Sequence, residues 1–149
     1  MHRRNILAGA FTATGALFAT TMRAKPANGA APDKAKVVYH LSDLDKVGFV
    51  LTNIRNHIDG MGGADKVTIA LVVHGPALKA FHTANASTEV TEQVSEFSRD
   101  GLHLNACGNT MKAQNVTLKH LLPGFVSADR GGVVRIAELQ SSGYVYLRP

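Results

Sequence analysis

Lys66–His74, KVTIALVVH, is the stretch whose reading decides the fold. It is the most continuous apolar, β-branched run after the N-terminal leader. A run of that length and composition predicts a central strand covered on both faces, the pattern of a parallel sheet with helices packed above and below. Upstream, Gly60-Met61-Gly62-Gly63 is glycine-rich, but it follows a helical pattern and leads into the strand. That order is the reverse of a phosphate-cradling loop, so it reads as capping and turn. Before it, Leu44, Val47, Leu51, Ile54 and Ile58 recur at helical spacing and stop at Gly60, with Ser42 and Asp45 placed as a capping box. Lys36–Leu41 (KVVYHL) is a short buried strand ahead of that helix.

Downstream, Gly75-Pro76 opens a short helix carrying Leu78 and Phe81, with Pro76 near its first position. A polar turn over Asn85–Ser87 leads to a helix with Val90, Val94 and Phe97 on one face, ending at Asp100-Gly101. Leu102–Ala106 forms a third strand, and Cys107–Thr110 is its exit. A helical pattern with Val116, Leu118, Leu121 and Leu122 is expected from Ala113 to Leu122. Phe125–Ala128 is a fourth strand, Gly132–Ser142 a helix closed by Gly143, and Tyr144–Leu147 a last strand. Strands alternating with helices at this spacing predict an α/β domain with a mainly parallel sheet, because each right-handed crossover needs a helix to return the chain.

Three predicted strands end in residues with chemistry: His40, His74 and Cys107, the only cysteine. In a parallel sheet these ends share one edge, where α/β proteins bind ligands. A thiol where a strand gives way to a helix is exposed to N–H groups that favour the thiolate. A neutral imidazole beside it can take its proton, and two imidazoles with a thiolate can hold a soft metal. Asn109 and Thr110 follow with small polar side chains, suited to helix capping or to donating hydrogen bonds to a sulfur-bound group. The remaining histidines, His57, His82, His103 and His120, fall in helical or strand patterns and are expected at the surface or at element boundaries. Asp43, Asp45 and Asp129 stand at predicted helix starts, where a cap accounts for them. No carboxylate pair, Ser-His-Asp arrangement or nucleotide loop is present, so the sequence assigns no cofactor and no dedicated metal site. A carrier or binding protein fits better than a turnover enzyme.

At 149 residues and 45% apolar content the chain has room for one domain with a sizeable core. Its formal charge of +5 belongs largely to the first residues. Met1-His2-Arg3-Arg4-Asn5 is a basic segment, Ile6–Met22 a mildly apolar run, and small residues precede Pro32. This is the layout of an export signal. Arg3-Arg4 followed by Asn5-Ile6-Leu7 resembles the twin-arginine motif of bacterial Tat signals, which implies a periplasmic or otherwise exported protein cleaved near Ala30 or Ala31. The run is too short, and too diluted by threonine and glycine, for a stable membrane span of about 20 apolar residues. Four of the sixteen Lys and Arg residues and none of the eleven acids lie in residues 1–31, leaving twelve against eleven in the rest. The remaining basic residues are scattered, which excludes nucleic-acid binding as a leading reading. Residues 32–35 read as a linker and 36–149 as the domain.

The residues from Lys36 to Pro149 resemble the DsrE/DsrF-like proteins, in their small single-domain branch. The resemblance is carried by VVYHL (Val37–Leu41), NIRNHI (Asn53–Ile58), ACGNTM (Ala106–Met111) and GYVYLRP (Gly143–Pro149). It implies a three-layer α/β/α sandwich with five parallel strands, and a homo-oligomer, trimer or hexamer. In the sulfur-oxidising members a strand-end cysteine accepts and passes persulfide sulfur, and by motif that cysteine is Cys107. Those carriers are cytoplasmic, whereas this chain reads as exported. The sequence therefore leads to an exported sulfur or thiol carrier acting through Cys107, assisted by His40 or His74 and exchanging sulfur with a donor or acceptor protein. The competing readings are a module gripping a soft metal or small ligand with His40, His74 and Cys107, and a buried, inert cysteine.

Overall fold

The computed structural model describes residues 34–149; the predicted signal of residues 1–31 and the first half of the linker lie outside them. Five strands and four α-helices follow in order: β1 (Ala35–Leu41), α1 (Val47–Met61), β2 (Val67–Val73), α2 (Thr88–Arg99), β3 (His103–Cys107), α3 (Gly108–Ala113), β4 (Phe125–Ala128), α4 (Gly132–Ser141) and β5 (Val145–Leu147). Short 3-10 segments at Leu44–Lys46, Gly75–Phe81 and Leu118–His120 fill the connections. All strand pairs are parallel and the sheet order is β4-β3-β2-β1-β5. The expected three-layer α/β/α sandwich with a five-stranded parallel sheet is the architecture observed.

The order of the strands explains the unequal layers. The chain steps in one direction from β1 to β4, and right-handed crossovers then put every intervening helix on one face. The return from β4 to β5, on the far side of β1, carries α4 across the other face. Burial follows this division. Val37, Tyr39, Leu41, Ile69, Leu71, Val73 and Leu104 pack with Val50, Leu51, Ile54, Phe81, Phe97 and Met111 in the larger core. Val38, Ala70 and Val72 pack with Ile136 and Leu139 of α4 in a smaller cluster, with Tyr144 against it. β2 is buried on both faces, as its sequence requires.

Four expectations are corrected. α1 runs past Gly60 to Met61 and is closed by Gly62, whose left-handed backbone (φ 86) ends the helix. The Ser42–Asp45 capping box is absent: no side chain caps that start, and Ser42 instead accepts a hydrogen bond from Arg148. The linker is shorter than expected, because Ala35 already pairs with Val67. The helix expected over 113–122 lies earlier, at Gly108–Ala113, directly after Cys107. Asn115 then turns the chain with φ 54, and Leu121 and Leu122 reach the core after the 3-10 turn, without an α-helix. Among the described residues no helix is long and apolar enough to cross a membrane.

Candidate functional site

β3 and β4 are neighbours whose following helices leave toward opposite faces of the sheet. Such a reversal opens a crevice at the C-terminal strand ends, the usual ligand position in α/β sheets. Cys107 closes β3 at that point and occupies the N-cap position of α3. From the other side the first residue of α4 comes down onto it: the Gly132 N–H donates to Cys107 Sγ at 3.1 Å, in a buried contact.

Two glycines make this approach feasible. A Cβ on Gly132 would stand 3.3 Å from the Cβ atoms of both Cys107 and His74 and 3.4 Å from Val72 Cγ1. A Cβ on Gly108 would stand 3.0 Å from Asp129 Cα and 3.1 Å from the Ala128 carbonyl oxygen. Side chains at either position would hold the loop after β4 away from the sulfur. Thr110 adds a further tie. The Gly75 N–H donates to its Oγ1 at 2.9 Å, which leaves the hydroxyl proton free to point at the sulfur. Gln114 Nε2 donates to the Gly75 carbonyl at 3.0 Å, so α3 grips the turn after β2 from both sides.

The electrostatic outcome at Cys107 is a contest. Burial pushes the thiol up. The Thr110 hydroxyl and the backbone N–H groups of Thr110, Gly132 and Asn109 outweigh burial, and the thiol ends below its ordinary value. α4 is ten residues long and has no acidic residue in its first turn, so its N-terminal dipole acts in the same direction.

His40 and His74 come together directly: their Nε2 atoms are 2.5 Å apart. On its other side, His40 Nδ1 meets the Tyr146 hydroxyl at 2.6 Å. Burial, then His74 and Arg148, hold the His40 pKa down to about 4, against an opposing pull from Asp43. His74 is lowered by burial and Arg148, again with Asp43 opposing. Arg148 itself donates to Ser42 Oγ at 3.1 Å and Asp43 Oδ2 at 3.4 Å. The Cβ atoms of His74 and Cys107 both lie against Gly132, but no hydrogen bond joins either imidazole to the sulfur. Among the described residues no group of three or more His, Cys, Asp or Glu side chains is placed to hold a metal, so His40, His74 and Cys107 do not form a three-donor set.

The remaining predicted residues are sorted by their contacts. Thr110 engages Cys107 with hydroxyl and backbone, while Asn109 contributes its backbone N–H. The side chain of Asn109 lies against Gly131. Asp43 stands at the N-cap of the first 3-10 turn without a side-chain bond to the backbone and pairs with Arg148. His57 bonds Tyr39, and His120 completes a capping box with Thr117.

Sequence reasoning missed Gly132, Gly75, Asn105, Arg135, Tyr146 and Arg148. Asn105, two residues before Cys107 on the same strand face, is buried. It donates to the His103 carbonyl and accepts from Arg135 Nε at 3.1 Å. These two residues line a groove of about 370 Å³ between β4 and α4. A polar residue in the middle of an apolar strand was the available signal for Asn105. The Gly131-Gly132 pair opening a helix was the signal for the close approach.

Fold and site together define a three-layer α/β/α protein with a single thiol where the layers reverse. No family model matches the chain, and no curated protein matches it. Solved structures do share the fold. A protein of unknown function, MTH1491 from Methanobacterium thermoautotrophicum, is similar at 27% identity with a TM-score of 0.68, over 78% of this chain and 100% of that one. BT1422 from Bacteroides thetaiotaomicron, also of unknown function, is similar at 18% identity and TM-score 0.56, over 76% and 95%. The ychN protein from E. coli is similar at 9% identity and TM-score 0.54, over 76% and 99%.

Proposed function

We propose that this chain is an exported DsrE-like carrier in which Cys107 accepts sulfur as a persulfide and passes it on. The observation that carries the reading is the set of donors converging on Cys107 Sγ: the Gly132 N–H from α4, the Thr110 hydroxyl, and the N–H groups of Asn109 and Thr110. A site that lowers a thiol's pKa despite burial is built to hold negative charge on sulfur. In the transfer, the thiolate attacks the outer sulfur of a donor persulfide. One S–S bond forms on Cys107, the donor's S–S bond breaks, and the donor leaves as a thiolate, with no net oxidation or reduction. The same N–H groups then neutralise the terminal sulfur of the Cys107 persulfide until an acceptor thiol removes it. His40 and His74 are given no part in this step, because neither ring is hydrogen-bonded to the sulfur.

Alkylation of Cys107 against pH tests the reading. The rate is expected to titrate clearly below about 8.5, the value of a free thiol. Native protein is expected to carry a reducible adduct of one sulfur atom that is absent from Cys107→Ser. Slow alkylation at neutral pH together with no adduct after incubation with a persulfide donor would leave Cys107 as a structural residue. The reading also includes export through Arg3-Arg4 and assembly into a homotrimer or hexamer. Replacing both arginines by lysine is expected to hold the precursor in the cytoplasm, and light scattering is expected to give a multiple of the protomer mass.

A further inference from the structure

We propose that His40 and His74 form a two-coordinate site for a monovalent d10 cation, copper(I) or silver(I), separate from Cys107. The geometry of the pair is specific. Ring centroids lie 4.7 Å apart while the Nε2 atoms are 2.5 Å apart, and the ring planes differ by 27°. That centroid separation nearly equals the N···N distance plus the two ring radii, its largest possible value, so the imidazoles meet end to end and do not stack face to face. Their Nε2 lone pairs are therefore aimed at one midpoint from opposite sides. In the resting pair that midpoint holds a single proton, donated by one Nε2–H to the other nitrogen.

A cation that prefers two donors in a line can replace this proton. Zinc and other ions that favour four or more ligands at an angle cannot use it, and among the described residues no third His, Cys, Asp or Glu is placed to help. Charge points the same way. Arg148 faces the pair, with Asp43 paired to it, so a single positive charge is penalised less than a double one. For His40 the outer partner that a ligating histidine requires is already present. With its proton on Nδ1, His40 donates to the Tyr146 hydroxyl and frees Nε2 for the metal. Both imidazoles are held neutral by their surroundings, the protonation state a ligand needs.

Binding moves one proton from Nε2 to Nδ1 of the same ring through solvent, with no proton released and no change of oxidation state. At metal–nitrogen distances of about 2 Å the two nitrogens stand about 4 Å apart, so the pair opens by about 1.5 Å. Both side chains are half-buried at strand ends, and β5 beside His40 is only three residues long.

Silver(I) is the probe, because it is inert to air, and Cys107→Ser in the full chain removes the competing thiolate. That variant is expected to bind one silver ion per chain by native mass spectrometry. In nitrogen-15 spectra the Nε2 signals of both histidines are expected to shift together and to split by coupling to silver. In the same background His40→Asn or His74→Asn is expected to abolish binding, and Tyr146→Phe to weaken it about tenfold. No silver uptake by Cys107→Ser, or uptake that leaves either Nε2 signal unmoved, overturns the proposal. The spectrum of Cys107→Ser decides the matter even if the histidine variants fold poorly. Persulfide loading of the wild-type chain is a separate readout, so failure here leaves the carrier reading standing.

Discussion

Acid is expected to loosen this protein through His40 before it reaches the carboxylates, and the size of the effect follows from the site. The His40 pKa lies at about 4 in the fold against an ordinary value of 6.5, lowered by burial and by the neighbouring His74 and Arg148. Above pH 6.5 the imidazole is neutral in folded and unfolded chains, and it contributes nothing to the pH dependence. Between 6.5 and 4 the unfolded chain binds a proton that the folded chain refuses, so stability falls as pH falls. Below 4 both states are charged and the loss has saturated. Fully expressed, the difference amounts to about 3 kcal/mol. The ring is only partly buried, and screening leaves about 1.5 kcal/mol. His74, shifted in the same direction, adds to the slope. Urea unfolding at a series of pH values reads this as a falling midpoint at constant m-value. In His40→Asn the slope between pH 6.5 and 4.5 is expected to shrink by the His40 share, whatever the variant's absolute stability. Parallel wild-type and His40→Asn curves across that window would refute the argument.

Three further outcomes concern the thiol and its surroundings. Gly132→Ala places a methyl group 3.3 Å from the Cβ atoms of Cys107 and His74. It is expected to push the α4 N–H off the sulfur, raise the pH midpoint of alkylation and cost about 1–3 kcal/mol by overpacking. Thr110→Val removes both the hydroxyl aimed at Cys107 and the acceptor of the Gly75 N–H. It is expected to raise the same midpoint and to destabilise by about 1–3 kcal/mol in thermal unfolding. Gly108→Ala meets backbone atoms of Ala128 and Asp129, which cannot rotate away. A drop in Tm at least as large as that of Gly132→Ala is expected, and an unchanged Tm would show that the loop after β4 yields freely.

The sheet was legible because its signals are local. Unbroken apolar runs mark β1 and β2, and Gly or Pro punctuates nearly every helix end. The misplaced helix after Cys107 shows the limit of that method. Val116, Leu118, Leu121 and Leu122 are spaced as if on a helix, yet Asn115 turns the chain; Val116, Leu121 and Leu122 reach the core from a segment without an α-helix, and Leu118 stays exposed. The actual helix, Gly108–Ala113, opens with glycine, asparagine and threonine, all weak helix formers, and is held by the packing of Met111 and the bonds of Thr110 and Gln114. His40, His74 and Cys107 could be placed on one sheet edge from strand ends alone. That the histidines would face each other, and that Gly132 would serve the sulfur, depended on strand order and on α4 crossing the opposite face. Neither is written in any local pattern. Tyr146 and Arg148 were out of reach for the same reason, since they arrive on, and just after, a strand that pairs with β1.

That pairing has a kinetic consequence. The β1–β2, β2–β3 and β3–β4 ladders join strands that follow one another along the chain, whereas the contact of His40 with Tyr146 spans 106 residues. Closing so long a loop is entropically the most expensive step in forming the sheet, and high contact order slows folding. The four-stranded part, with Cys107 already at the end of β3, is then free to form first, and β5 docks onto an existing edge. A refolding experiment followed at two places would register this as order in time: protection of the β2 amides early, and quenching or solvent shielding of Tyr146 in a later phase.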